Sequence, residues 1–199
     1  MSILTGPEIV RIVNRTKTLR EAGQEPPVPL IDITPFDPQW AGPNSYDVHL
    51  SPNLLIYDCP TDRFAFLDMR KENPTLPLTI PEGGLILYPN VVYLGSTIER
   101  TVTAGLVPWL DGRSSIGRLG MAIHATAGRG DDGFGTGTPG GCAWTLEITV
   151  THKLKVYPGA RIGQLTFFSI SGERQPYKGR YSKQSGPVAS LFHASDDNK

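Results

Sequence analysis

The stretch CAWTLEITV, residues 142–150, decides the class of fold. Trp144, Leu146, Ile148 and Val150 fall on one side of an extended chain. Thr145, Glu147, Thr149 and the following Thr151 fall on the other. A period of two is the signature of a strand with one face in a core and one face turned away from it. The segment just downstream, YPGARIGQLTFF (residues 157–168), gives a Pro-Gly turn and a second strand.

Upstream, LPLTIPEGGLILYPNVVYLGSTIERTV (residues 76–102) is β again, with Pro81, Glu82, Gly83 and Gly84 as a turn. SYDVHLSPNLLIYD (residues 45–58) reads as two short strands around Ser51-Pro52, and PLIDITPF (residues 29–36) as one, with Ile31, Ile33 and Phe36 inward. Five prolines between Glu25 and Trp40 leave no room for a long regular element. Residues 62–79 are polar and read as irregular. The one convincing helix starts at Thr5. Thr5 and Glu8 fit a capping box, Pro7 suits the first turn, and Ile9, Val10, Ile12 and Val13 form an apolar stripe running to about Arg20 and stopping near Gly23. Many short strands and one helix predict a closed or nearly closed all-β architecture.

The composition supports this. The chain has 199 residues, enough for one well-buried domain, so residues 1–199 are read as a single domain. Its 22 glycines and 18 prolines suit short strands joined by turns. With 19 basic and 19 acidic residues the net charge is zero, which argues against a polynucleotide partner while leaving local arginines for a small anion. Cys59 and Cys142 are too few and too far apart for a disulfide framework or a four-cysteine metal site. No segment has the apolar length of a membrane span, and no signal peptide is read, so a cytoplasmic setting is expected.

Several chemistries are missing from the sequence. Zinc deaminases need His-x-Glu and Pro-Cys-x-x-Cys, and neither pattern follows any of His49, His124, His152 or His193. There is no Gly-Lys-Ser/Thr phosphate loop and no Gly-x-Ser-x-Gly elbow. GRSSIGR (residues 112–118) is more informative: two guanidinium forks, Arg113 and Arg118, bracket the hydroxyls of Ser114 and Ser115. Such groups suit phosphate oxygens. His124 is read as a structural histidine, because no carboxylate stands beside it in the sequence.

Here a resemblance becomes specific. GRSSIGRLGMAIHATAG, then Asp131, then TLE, PGARIGQLTFF and finally YSKQSGPVAS occur in the order found in the dCTP deaminase family, and ITPFDPQWAGPNSYDVHL is similar to that family's Pro-Phe and Ser-Tyr-Asp segments. The match runs from about residue 3 to residue 192. It implies a distorted β-barrel of the dUTPase-like, β-clip type with one N-terminal helix. It also implies a homotrimer with sites at subunit interfaces, and a nucleotide triphosphate carrying Mg²⁺ as substrate with no zinc on the protein. dCTP is the implied substrate, with dUTP or dTTP as further ligands.

Residue by residue, the resemblance puts Glu147 on the catalytic glutamate, acting as base and then acid. Arg113, Ser114, Ser115 and Arg118 fall on the substrate-binding motif, Ala127, Arg129 and Asp131 on the sugar and phosphate side, and Thr145 and Leu146 beside the base. Gln164, Tyr177 and Gln184 fall on nucleotide-binding positions, and Arg180 stands where a lysine is usual. Residues 177–199 are read as a polar arm that closes over the nucleotide. The chain departs from the family pattern at three places. Gly130 stands where an Ile is usual and is expected to weaken an apolar contact. Asp132 stands where a Pro or small residue is common, adding a charge that could recruit Mg²⁺ or water. About six extra residues precede Glu147 within residues 133–141.

Deamination of dCTP to dUTP is the expected reaction. Arg129 resembles the single-function enzymes, and its guanidinium is expected to grip the triphosphate without leaving room for water at the α-phosphorus. The alternatives are a bifunctional enzyme that goes on to dUMP and pyrophosphate, a pure dUTPase, and a non-catalytic nucleotide sensor on the same scaffold.

Overall fold

The computed structural model describes residues 2–59 and 65–195. The first part of the stretch read as irregular, residues 62–64, and the last four residues of the arm, 196–199, lie outside the described residues.

The helix α1 spans Gly6–Glu21, with Ile9, Ile12, Val13 and Thr16 buried. Thr5 is its N-cap residue, but its side chain caps nothing. Glu8, its expected capping-box partner, turns outward to Arg11 at 2.6 Å instead. The entry is held by close backbone approach: Gly6 donates to the carbonyl of Pro43 at 2.8 Å, and a Cβ at Gly6 would lie 1.8 Å from the Gly42 oxygen. The helix ends at Gly23, whose φ of 69° only glycine adopts at little cost.

The strands follow in chain order. They are β1 (Leu30–Thr34), β2 (Tyr46–His49), β3 (Asn53–Tyr57), β4 (Thr75–Thr79), β5 (Leu85–Leu87), β6 (Tyr93–Ala104) and β7 (Leu106–Gly112). After the short helix α2 (Ser114–Gly117) come β8 (Met121–Ala122), β9 (Cys142–Val150), β10 (Leu154–Val156) and β11 (Arg161–Ser169). Among the described residues they form three sheets instead of the expected closed barrel: six strands built on β6 and β9, three in the order β2-β11-β7, and the pair β5-β10.

The reason lies in β6. Its first part pairs with β3 and its last part with β1 on one side, while β9 runs along the other. The β6–β9 register shifts between Ser96 and Arg100. A bulge of this kind bends the strand and raises its twist, so one long strand serves two neighbours in succession.

β4 lies where the stretch read as irregular overlaps the start of the one read as β. Pro77 makes TLPLT look unlike a strand, but β4 is the edge of its sheet, where a missing N–H breaks no ladder. β9 alternates as its sequence does, with Trp144, Leu146, Ile148 and Val150 buried and Thr145, Glu147 and Thr149 only partly so. One contiguous apolar core joins α1, β1, β2, β6, β9 and β11. Among the described residues no helix is long and apolar enough to cross a membrane.

Candidate active site

Glu147 projects from the polar face of β9 into a cavity of about 370 Å³, within the range that holds small ligands. β8 pairs with β9 through Met121–Val150 and Ala122–Thr149, and this brings the residues after β8 back across Glu147. The Ala125 N–H donates to Glu147 Oε2 at 3.2 Å. His124 Nδ1 lies 3.7 Å from the same oxygen, with its ring largely buried. The histidine therefore does have a carboxylate beside it, contrary to the expectation from the sequence. The partner sits 23 positions away and is delivered by strand pairing.

The next segment is pinned along β7. Leu110 donates to the Gly128 carbonyl at 2.7 Å and Gly130 to the Pro108 carbonyl at 2.8 Å. This carries Ala127, Arg129 and Asp131 onto the cavity wall. Gly130 does not leave the expected apolar gap. A Cβ there would meet Trp144 Cη2 at 2.6 Å, so the indole already fills the space. Phe134 packs on the same indole with ring centroids 4.5 Å apart.

Asp132 points away from the role considered for it. It is buried, and both its oxygens are gripped by Arg174, Nε to Oδ2 at 2.8 Å and Nη2 to Oδ1 at 2.9 Å. Burial alone would raise its pKa, but the Arg174 hydrogen bonds and the Gly105 N–H at 2.6 Å reverse that and hold it below the ordinary value. Three donors thus commit this carboxylate to Arg174 and Gly105, not to the cavity.

The arm closes the cavity from the other side. Thr145 Oγ1 donates to Gln184 Oε1 at 3.1 Å and accepts from the Val188 N–H at 3.3 Å. The Ser190 N–H donates to the Tyr57 hydroxyl at 3.0 Å. Tyr177, Tyr181 and Gln184 line the cavity with Glu147, Thr145 and Asp131. Tyr57 carries no sequence signal of its own, and Tyr181 and Val188 lie within YSKQSGPVAS without being among its expected nucleotide-binding positions; all three line the cavity because the arm folds back on β3 and β9.

The remaining candidates lie outside the cavity lining. Leu146 is fully buried on the core face of β9, so only its main chain is available to a ligand. Arg180 is exposed on the arm. Gln164 spends its amide on Ser45 Oγ at 3.2 Å and Asp47 Oδ1 at 3.0 Å. Asp47, buried and missed by the sequence reading, also meets Arg113 Nε and Arg161 Nη1 at 3.4 Å each. Arg113 is thus fixed at the start of α2, while Ser114, Ser115 and Arg118 stand exposed.

A dCTP deaminase-like family model matches residues 16–170. A protein of Leptospira biflexa named "dCTP deaminase, dUMP-forming" is 45% identical over 198 residues, 99% of each chain. One of the same name from Cytophaga hutchinsonii is 46% identical over 82% of this chain and 88% of its own, and one from Hathewaya histolytica 42% identical over 96% of both. A crystal structure of 2'-deoxycytidine 5'-triphosphate deaminase from Agrobacterium tumefaciens shares the fold, with a TM-score of 0.54 at 19% identity over 83% of this chain; the chain spans 46% of that one.

These relatives overturn the expectation of dUTP as end product, since their shared name specifies dUMP. The weak step was Arg129. An arginine on the same wall as Asp131 can hold phosphates equally well before and after deamination, so it does not discriminate between the products. Matched by the family model over most of its length and by a relative across nearly all of it, the chain belongs to the dCTP deaminase-like family.

Proposed function

We propose that the chain is a bifunctional hydrolase that converts dCTP to dUMP, ammonia and pyrophosphate at one site. The observation that carries this is the presence of two carboxylates, Glu147 and Asp131, on the wall of a single cavity, one for each hydrolysis. Mg²⁺ enters as part of the triphosphate substrate. In the first step a water oxygen bonds to C4 of cytosine while Glu147 takes its proton. The attack pushes the C4=N3 electron pair onto N3; the proton passes from Glu147 to the amino nitrogen, the proton left on the new oxygen moves to N3, and C4=O forms as the C4–N bond breaks and ammonia leaves. Glu147 Oε2 is occupied by the Ala125 N–H and faces His124, which orients the other oxygen toward the water. In the second step water bonds to the α-phosphorus, Asp131 accepts its proton, and the bond to the β-phosphate oxygen breaks.

The same reading takes the assembly as a homotrimer. Ser114, Ser115 and Arg118 stand exposed beside the firmly held Arg113, which suits a phosphate group bound by a neighbouring copy. The test is direct. Incubation with dCTP and Mg²⁺, followed by anion-exchange separation, is expected to give dUMP and pyrophosphate in equal amounts with no build-up of dUTP. Accumulation of dUTP with no pyrophosphate would overturn the second step.

A further inference from the structure

Asp132 departs from the family pattern, and so does the insertion that follows it; both meet the root of the arm. The Asp132 side chain takes the Arg174 fork, and its carbonyl accepts from the Tyr177 N–H at 2.6 Å. Gly133, with φ of 90°, packs against this root: a Cβ there would lie 3.2 Å from the Tyr177 nitrogen and from Pro176 Cβ. Further along, Thr138 Oγ1 and Cys142 Sγ both donate to the Ser182 carbonyl, at 2.9 and 3.1 Å. The residue before Asp132 is Asp131, on the cavity wall, and the residue it holds, Tyr177, is on the cavity's other side.

We infer that Asp132 and Arg174 are positioning residues, whose ion pair fixes the root of the arm so that Tyr177 and Gln184 meet the nucleotide opposite Asp131. The inference rests on the reading of the cavity as the nucleotide site. Its geometry is specific to arginine: two parallel N–H groups match the two carboxylate oxygens, and a lysine ammonium offers no such fork. Beyond the root, the arm is tied to the cavity rim by single hydrogen bonds to Thr145 and Tyr57. The Asp132–Arg174 pair holds the root by two parallel bonds between charged groups.

The experiment compares wild type with Arg174→Gln, Arg174→Lys, Asp132→Asn and the Asp132→Asn/Arg174→Gln double variant. Amide hydrogen exchange is measured first, without turnover. Exchange at residues 177–190 is expected to quicken roughly tenfold in the Gln and Asn variants, with the double variant no worse than either single one. Leu146 and Ile148 amides on β9 should stay protected, showing an intact fold. In the dCTP assay KM should rise by a similar factor with kcat within about threefold, and Arg174→Lys should recover part of the loss. Unchanged arm exchange in Arg174→Gln overturns the inference whatever the assay shows. A fall in kcat with unchanged KM also overturns it, because it would mean the pair acts on chemistry and not on placement. If wild type does not turn over dCTP, the reading of the site fails, while the exchange result still decides whether the pair holds the arm.

Discussion

The wall that carries Glu147 and the turn that carries Ser114, Ser115 and Arg118 solve opposite problems. Glu147 is enclosed by its own chain: Ala125 and His124 sit on one side and the arm stands opposite. The α2 turn is anchored at its base by Arg113 on Asp47, yet it presents its hydroxyls and Arg118 outward. A group that moves protons needs a fixed, partly dry setting, because its geometry and surroundings determine its reactivity. A group that grips phosphate needs only reach and charge, so it can be lent to a neighbour. The two regions differ in what completes them: Glu147 meets groups of its own chain, and the α2 turn faces solvent.

The largest expected effect removes the enclosed half. Glu147→Gln keeps shape and hydrogen bonding but not basicity, and deamination should fall by about 10²–10⁴-fold with dCTP binding retained. A variant within a few-fold of wild type would remove Glu147 from the chemistry. A sharper test sets the two regions against each other. Glu147→Gln and Arg118→Ala, each inactive alone, are co-expressed with different tags. If every site takes Glu147 from one copy and Arg118 from another, random mixing should restore about a quarter of wild-type activity. No recovery above the parents would place both groups in the same copy. The smallest effect concerns the cover. Thr145→Val loses the bonds to Gln184 and the Val188 N–H, and at about 1 kcal/mol for each, about 2 kcal/mol together, KM should rise about thirtyfold. An unchanged KM would show that the arm owes nothing to Thr145.

What could be read in the chain follows from how local the physics is. β9 was legible because every second residue of CAWTLEITV answers to the same core. The stop of α1 at Gly23 was legible because a positive φ has few tenants. β4 was legible only in part: residues 76–79 fall in a stretch read as β, yet a proline speaks against a strand until one knows that the strand is an edge. The Asp47 cluster joins residues from β2, the N-cap of α2 and β11, and no spacing rule connects positions so far apart along the chain. His124 escaped for the same reason: β8 is two residues long, too short to announce the pairing that sets the ring against Glu147. Residue types gave the candidate list, and topology decided which of them share a cavity.

The packing of Gly130 under Trp144 limits the routes by which this sequence can vary. With the indole 2.6 Å from where a Cβ would begin, an isoleucine at 130 and a tryptophan at 144 cannot coexist without displacing the wall that carries Asp131. What can stand at 130 therefore depends on what stands at 144. A lineage crossing from one solution to the other must first shrink residue 144 and tolerate an empty pocket beside Phe134, and only then enlarge residue 130; the reverse order clashes at the first step.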